Sequence, residues 1–291
     1  MLRADLLTVR ATADRWRLGL LLTWPTIVTL LLTVVPLVLL LRISVAPTDL
    51  AAPWSSGFSA VAYRGLADRD AVRSLVESLQ MALAVASISL LLGYPLTYFI
   101  TRMARRSQVA WLIFLLATLT LSDVLIAFSW QVMLSKRVGM SKLLVAVGLM
   151  SQPDSLAPSV GAVIACLVYL VIPFAVLTLY PSLSDLEPSL IEAARTLGAS
   201  PRRAFTSVVL SATRTPIIMA FVLAMVLTLG SYVPPIALGR PEQWPMSVLI
   251  GNAALAGHNL PRAAAMSVLL LIVTIVLALG AMRAQRRTVP A

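Results

Sequence analysis

The sequence predicts an all-α membrane protein with six transmembrane helices, and three observations predict it. Hydrophobic residues make up 59% of the 291 and charged residues only 12%, whereas a soluble domain carries about 25% charge. Six stretches approach the roughly 20 apolar residues that cross a bilayer: 18–41, 79–101, 109–134, 157–180, 215–238 and 263–282. The basic residues fall between these stretches rather than along one soluble face, so the net charge of +11 does not signify nucleic acid.

The segment 1–17 is expected to be a cytoplasmic lead into the first span. The span 18–41 has no charge, is too long for a signal-peptide core and lacks a small-residue cleavage site, so it reads as a retained helix. The second, 79–101, is closed by Arg102. The third, 109–134, is apolar except for Asp123. With no water to serve the backbone in lipid, all six are expected to be α-helices. Prolines 25, 36, 95, 173, 216 and 234 sit in or at the ends of the spans. The carbonyls they free need neighbouring helices or water, which suits a bundle around a pathway. The stretch 138–150, with Lys142 inside it, is too short to span and reads as an outer-face amphipathic or re-entrant helix.

Orientation follows the arginines. Arg3, Arg10, Arg15, Arg17, Arg102, Arg105, Arg106, Arg195, Arg202, Arg203, Arg214, Arg283, Arg286 and Arg287 lie on one side, 14 of the 23 basic residues. Both termini, including the tail 283–291, are therefore expected in the cytoplasm. On the other side Arg42, Arg64, Arg69 and Arg73 crowd the first loop with Asp68, Asp70 and Glu77, as solvated surface or as part of a landing site for a protein partner. The single cysteine, Cys166, excludes a disulfide within the chain and reads as a small buried hydrophobe. With His258 the one histidine, no metal site is expected.

The loop 181–213 has helix signals of its own. Pro188 suits a first helical position, and Gly198 suits the residue just past a helix end. Between them Leu190, Ala193, Ala194 and Leu197 form an apolar stripe at i, i+3, i+4 and i+7, narrow enough at the alanines for a partner backbone to approach. Ser200 and Pro201 then cap and open a second helix.

Glu192-Ala193-Ala194, three residues, Gly198, nine residues, then Val208-x-Leu210 is similar to the Glu-Ala-Ala (EAA) motif of type I ABC importer permeases. The motif's final proline is replaced by Ser211, with Pro216 five residues on. The segments Leu92-Gly93-Tyr94-Pro95, Tyr169 to Phe174, Gly230 to Pro235 and Asn259-Leu260-Pro261 resemble the spermidine/putrescine-type branch in order and spacing. The resemblance implies the permease fold with a cytoplasmic coupling-helix loop, in a bacterial inner membrane. It implies that Leu190, Glu192, Ala193, Ala194, Leu197 and Gly198 couple to an ATPase. It also implies two ATPase subunits, a second related permease with a homodimer as the alternative, and an extracytoplasmic substrate-binding protein. The chain has no G-x-x-x-x-G-K-[S/T], so it is expected to be no enzyme; ATP and Mg would be bound by the partner ATPase, with no cofactor here.

Asp123 is the one carboxylate well inside a predicted span, where a charge needs a cavity or a partner. Two roles are open to it: a pathway carboxylate for a cationic solute, or a structural acid between helices. Trp130 and Gln131, two turns on, and Ser231 and Tyr232 complete the candidate pathway, though Trp130 also suits an interface anchor. Polyamine-type relatives tend to carry an acid where this chain has Ser231, so an amine, an opine, an aminophosphonate or another small solute all remain open. A stand-alone secondary transporter would carry paired broken helices and several intramembrane charges, and would leave the EAA loop unexplained.

Overall fold

The computed structural model describes residues 2–47, 57–136, 139–148, 151–152 and 154–286. Among them there are only helices and turns. In chain order they are α1 (Leu2–Ser44), α2 (Val61–Arg64), α3 (Arg69–Arg102), α4 (Arg105–Leu119), α5 (Asp123–Met133), α6 (Met140–Ala146), α7 (Val160–Ser184), α8 (Pro188–Thr196), α9 (Pro201–Ala204), α10 (Leu210–Ala212), α11 (Arg214–Leu229), α12 (Val233–Leu238), α13 (Met246–Leu255) and α14 (Leu260–Arg286). Four stretches are long and apolar enough to cross a membrane alone: Thr23–Ser44 of α1, α3, α7 and Leu260–Arg283 of α14. Two bent pairs complete the count to six if each is one span.

The centre is a three-helix contact of α3, α7 and α11. Small residues permit it: Ala82, Ala86 and Ser89 of α3 and Ala162, Cys166 and Ala175 of α7 are buried. A Cβ on Gly93 would sit 3.5 Å from the Cβ of Ala175, an ordinary contact, so α3 and α7 lie close enough here for small side chains to touch. In lipid such packing, rather than water exclusion, holds helices together. Cys166 is fully buried, as expected. α14 packs on α11 and α13 and also carries α1, whose spanning part is mostly exposed.

Two interruptions, at 120–122 and 230–232, correct the sequence reading. The third span is not one helix over 109–134: α4 ends at Leu119 and α5 leaves at 93°. A run of hydroxyls marks the break. Thr118 and Thr120 donate to the carbonyls of Leu115 and Ala117, both at 2.7 Å, side-chain bonds of a kind that bends helices, and Ser122 holds an extended N-cap conformation. The fifth span is not continuous over 215–238 either. α11 stops at Leu229 with Gly230 as its cap, and α12 begins afresh with Pro234 and Pro235 in its first turn, where their missing N–H groups cost nothing. α11 also starts with a 68° bend from the segment Pro201–Ala212.

Other boundaries move outward. α1 runs on through 2–17, and α3 starts at Arg69 rather than 79. The helix expected over 138–150 is the seven-residue α6, its flanks 138 and 149–150 lying outside the described residues. So does the tail expected over 283–291 beyond residue 286.

The end of the bundle that carries 185–213 is called proximal here and the other distal. The distal end is tied by polar contacts. Ser44 Oγ and Tyr63 Oη are 2.8 Å apart, and Arg42 stacks on Phe58 at 4.8 Å. Ser78 of α3 accepts the Met246 N–H at 2.7 Å and thereby caps α13 from another helix.

Candidate functional site

Both helix breaks open onto one cavity of about 220 Å³. Thr118, Leu119, Leu121 and Asp123 line it from the α4–α5 break, Leu227, Gly230 and Ser231 from the end of α11, and Tyr169, Pro173 and Phe174 lie among the residues of α7 that close it. The C-terminal ends of α4 and α11 both face it, and their last carbonyls carry the negative end of each helix dipole. Asp123 adds a carboxylate. Among the described residues it makes no hydrogen bond or ion pair. The side chains of Tyr169 and Phe174 are also part of the lining. Among the described residues no lysine, arginine or histidine lines the cavity. The arrangement is a half-apolar chamber whose one charged lining side chain, among the described residues, is Asp123.

The predicted pathway residues divide. Asp123 and Ser231 line the chamber. Trp130 does not; its ring lies 6.1 Å from that of Tyr169 and backs the wall from behind. Gln131 turns away and donates to the Ala237 carbonyl at 3.3 Å, joining α5 to α12. Tyr232 also turns away, its ring laid where a Cβ on Gly251 would be. Tyr169, Phe174 and Thr118 were missed as lining residues. The available signal was an aromatic and a hydroxyl inside otherwise aliphatic spans, one turn or less from a proline or a serine-threonine run.

At the proximal end α8 runs Pro188–Thr196 with proline in its first turn, and Gly198 follows at φ +89°. A Cβ at Gly198 would meet nothing within 4 Å, so glycine is required there by backbone sterics and not by space. The apolar stripe expected to meet a partner is mostly open in this chain: Leu190 is 50% and Leu197 89% exposed, Ala193 is exposed, and Ala194 is half-buried. What seats α8 on the bundle is Ile191, packed against the cluster of Leu183, Leu186 and Val209. Glu192 and Gly198 rim an open cleft with Arg195, Ser200 and Pro201. The loop then continues through α9, capped by Ser200 Oγ on the Arg203 N–H at 3.3 Å, into a π-helical turn over Phe205–Val209.

That turn meets the bundle through aromatic edges. Phe205 stands edge-on to Tyr94 at 6.2 Å and to Tyr98 at 5.3 Å, and Tyr94 Oη is 2.9 Å from Thr213 Oγ1. The α3–α4 corner beside it is fixed by Gln108. Its amide donates to the Thr101 and Met103 carbonyls and accepts from Tyr180 Oη at 2.9 Å.

A helical bundle with paired broken spans around a polar chamber, and an amphipathic helix standing out of one end, defines an integral-membrane permease. The comparisons give the family. Residues 140–291 match the family described as binding-protein-dependent transport system inner membrane component. The spermidine/putrescine transport system permease protein PotB of Escherichia coli (strain K12) is 30% identical over 216 residues, 73% of this chain and 77% of that one. The inner membrane ABC transporter permease protein YdcU of the same organism is 28% identical over 210 residues, 68% and 67% of the two chains. Among solved structures, a bacterial alginate ABC transporter in complex with an alginate pentasaccharide-bound periplasmic protein matches with TM-score 0.70 at 20% identity, covering 94% of this chain and 96% of that one. The MetNI methionine ABC transporter matches with TM-score 0.56 at 19% identity, covering 75% and 96%; these two likenesses concern the fold. The chain belongs to the family of binding-protein-dependent transport system inner membrane components, and it is the permease subunit of an ABC importer.

Proposed function

We propose that this chain forms half of the translocation pathway for a small amine-bearing cation, of the polyamine kind. The observation that carries the reading is the chamber between the helix breaks. One carboxylate, two helix C-termini and two aromatic side chains line it, and among the described residues no basic side chain does. A single ammonium group would replace its water there with Asp123 oxygens and aromatic rings. The names of the PotB relatives support the same substrate class. With one acid in the chamber and Ser231 at the second position, one amine is held by charge and the remainder of the solute by apolar walls.

The energy comes from elsewhere. The helix 188–196 and Gly198 dock on an ATPase that binds ATP and Mg, with Leu190, Ala193 and Leu197 as the exposed apolar contact and Ala194 at its edge. The assembly is one copy of this chain, a second related permease, two ATPase subunits and an extracytoplasmic binding protein. The proximal end and both termini are cytoplasmic, as the arginine distribution supports.

Uptake by the assembled complex in proteoliposomes tests the substrate class. Asp123→Asn keeps the shape and removes the charge. Uptake of a polyamine is expected to fall roughly tenfold, the size of about 1.4 kcal/mol of lost attraction. Unchanged polyamine uptake, or uptake confined to an anionic or neutral solute, would defeat the cation reading.

A further inference from the structure

We propose that the start of α4 is a binding site for one anionic phospholipid. Three arginines converge at the α3–α4 corner, and two are already held in place. The Arg102 guanidinium lies 5.2 Å over the Tyr98 ring, and Arg105 donates to Tyr180 Oη at 3.5 Å. Arg106 is exposed, with no partner among the described residues. No acidic residue occurs between Glu77 and Asp123, so nothing in this stretch neutralises the cluster. Directly above it Ala110, Trp111 and Phe114 form an apolar pocket of about 250 Å³, the two rings set edge to face at 5.9 Å. Arg106, Ala110 and Phe114 stand at i, i+4 and i+8, so the charge and the pocket share one side of the helix. Leu115 packs toward α3 and α7, while Phe114 is 58% exposed.

The occupant follows from charge and depth. A cationic rim at the end of an apolar span lies at headgroup level, and an aromatic pocket one turn deeper lies among acyl chains. A phosphatidylglycerol-type lipid satisfies both. A zwitterionic lipid brings a choline cation to the arginines, and a soluble anion leaves the pocket bare. The site requires that α4 cross the bilayer, and it is independent of what the central chamber carries.

The test is native mass spectrometry of the assembled transporter, released from micelles that contain phosphatidylglycerol or phosphatidylcholine with the same acyl chains. Retention of one phosphatidylglycerol per copy of this chain is expected, and no matching phosphatidylcholine. Each arginine near the headgroup contributes about fivefold, so the double variant Arg105→Gln, Arg106→Gln should bind roughly thirtyfold more weakly. Arg105→Lys with Arg106→Lys should retain the lipid. Trp111→Ala leaves every charge in place and should also release it, which keeps the test decisive if the glutamine variant fails to insert. Equal retention of phosphatidylcholine, or undiminished phosphatidylglycerol on Trp111→Ala, would overturn the site. So would a photoreactive side chain at 111 that crosslinks to a protein subunit rather than to lipid.

Discussion

The distal end of the bundle and the loop 188–212 at its other end are fastened by different forces. At the distal end the joins are hydrogen bonds between elements far apart in sequence: Ser44 to Tyr63, Ser78 to the Met246 N–H, Ser247 Oγ to the Ser231 carbonyl at 2.6 Å, and Arg240 to the Pro158 carbonyl at 3.0 Å. At the proximal end the loop 188–212 rests on Ile191 and on the edges of the Phe205 ring, with Tyr94 to Thr213 as the polar tie where α11 begins. Hydrogen bonds weaken steeply as angle and distance change, whereas apolar contact is non-directional. The distal joins thus fix geometry more tightly than the apolar seat of the loop does. Such a seat suits the role proposed for the loop, to pass force from an ATPase to the spans.

Four substitutions break or sharpen this contrast. The largest effect is expected from Ala194→Asp, which puts an unpaired charge at the edge of the proposed ATPase contact. At about 3–5 kcal/mol this costs more than a hundredfold in function. Uptake and ATP hydrolysis stimulated by loaded binding protein should both vanish, with the chain still inserted. Full uptake would remove 188–198 as the coupling element. Phe205→Ala comes next. It deletes two ring-edge contacts worth about 0.5–1.5 kcal/mol each, so coupled uptake should drop roughly tenfold while basal ATP hydrolysis stays; if the thermal midpoint alone changes, the ring is only a prop. Ser78→Ala should do the reverse. It strips the cap from α13 for about 1 kcal/mol and lowers the thermal midpoint of the complex by about 2–4 °C, with uptake at low temperature unchanged. Smallest is Glu192→Gln, on an exposed face, where an ion pair with the ATPase contributes about 0.2–1 kcal/mol. Uptake assays should register no more than about a fivefold loss.

The helix and cap signals of the loop 181–213 were legible because they are local. Pro188, Gly198, Ser200 and Pro201 each act through the backbone within one turn, and all four stand where their chemistry predicts. The helix breaks were not legible to hydropathy. Three hydroxyls and one carboxylate barely move a twenty-residue average, yet the chain turns by 93° where Thr118, Thr120 and Ser122 stand. That turn explains the divided fate of the pathway residues. Asp123 stays at the chamber because it opens α5, while Gln131 is carried across to α12. Ile191 was passed over because the apolar stripe was drawn for an external partner. The residue that seats the helix on its own bundle lies off that stripe.

The π-helical turn over Phe205–Val209 also sets a phase. Phe205 and Thr213 are eight residues apart, which in a regular α-helix separates their directions by about 80°. The wide turn absorbs one residue and brings the difference back to about 20°, so that both reach Tyr94. Length variation between these two positions is therefore unequal in its effects. Removing one residue leaves an ordinary α-helix whose two contacts still point the same way. Adding one rotates Thr213 by about a further 100° and takes its hydroxyl away from that of Tyr94.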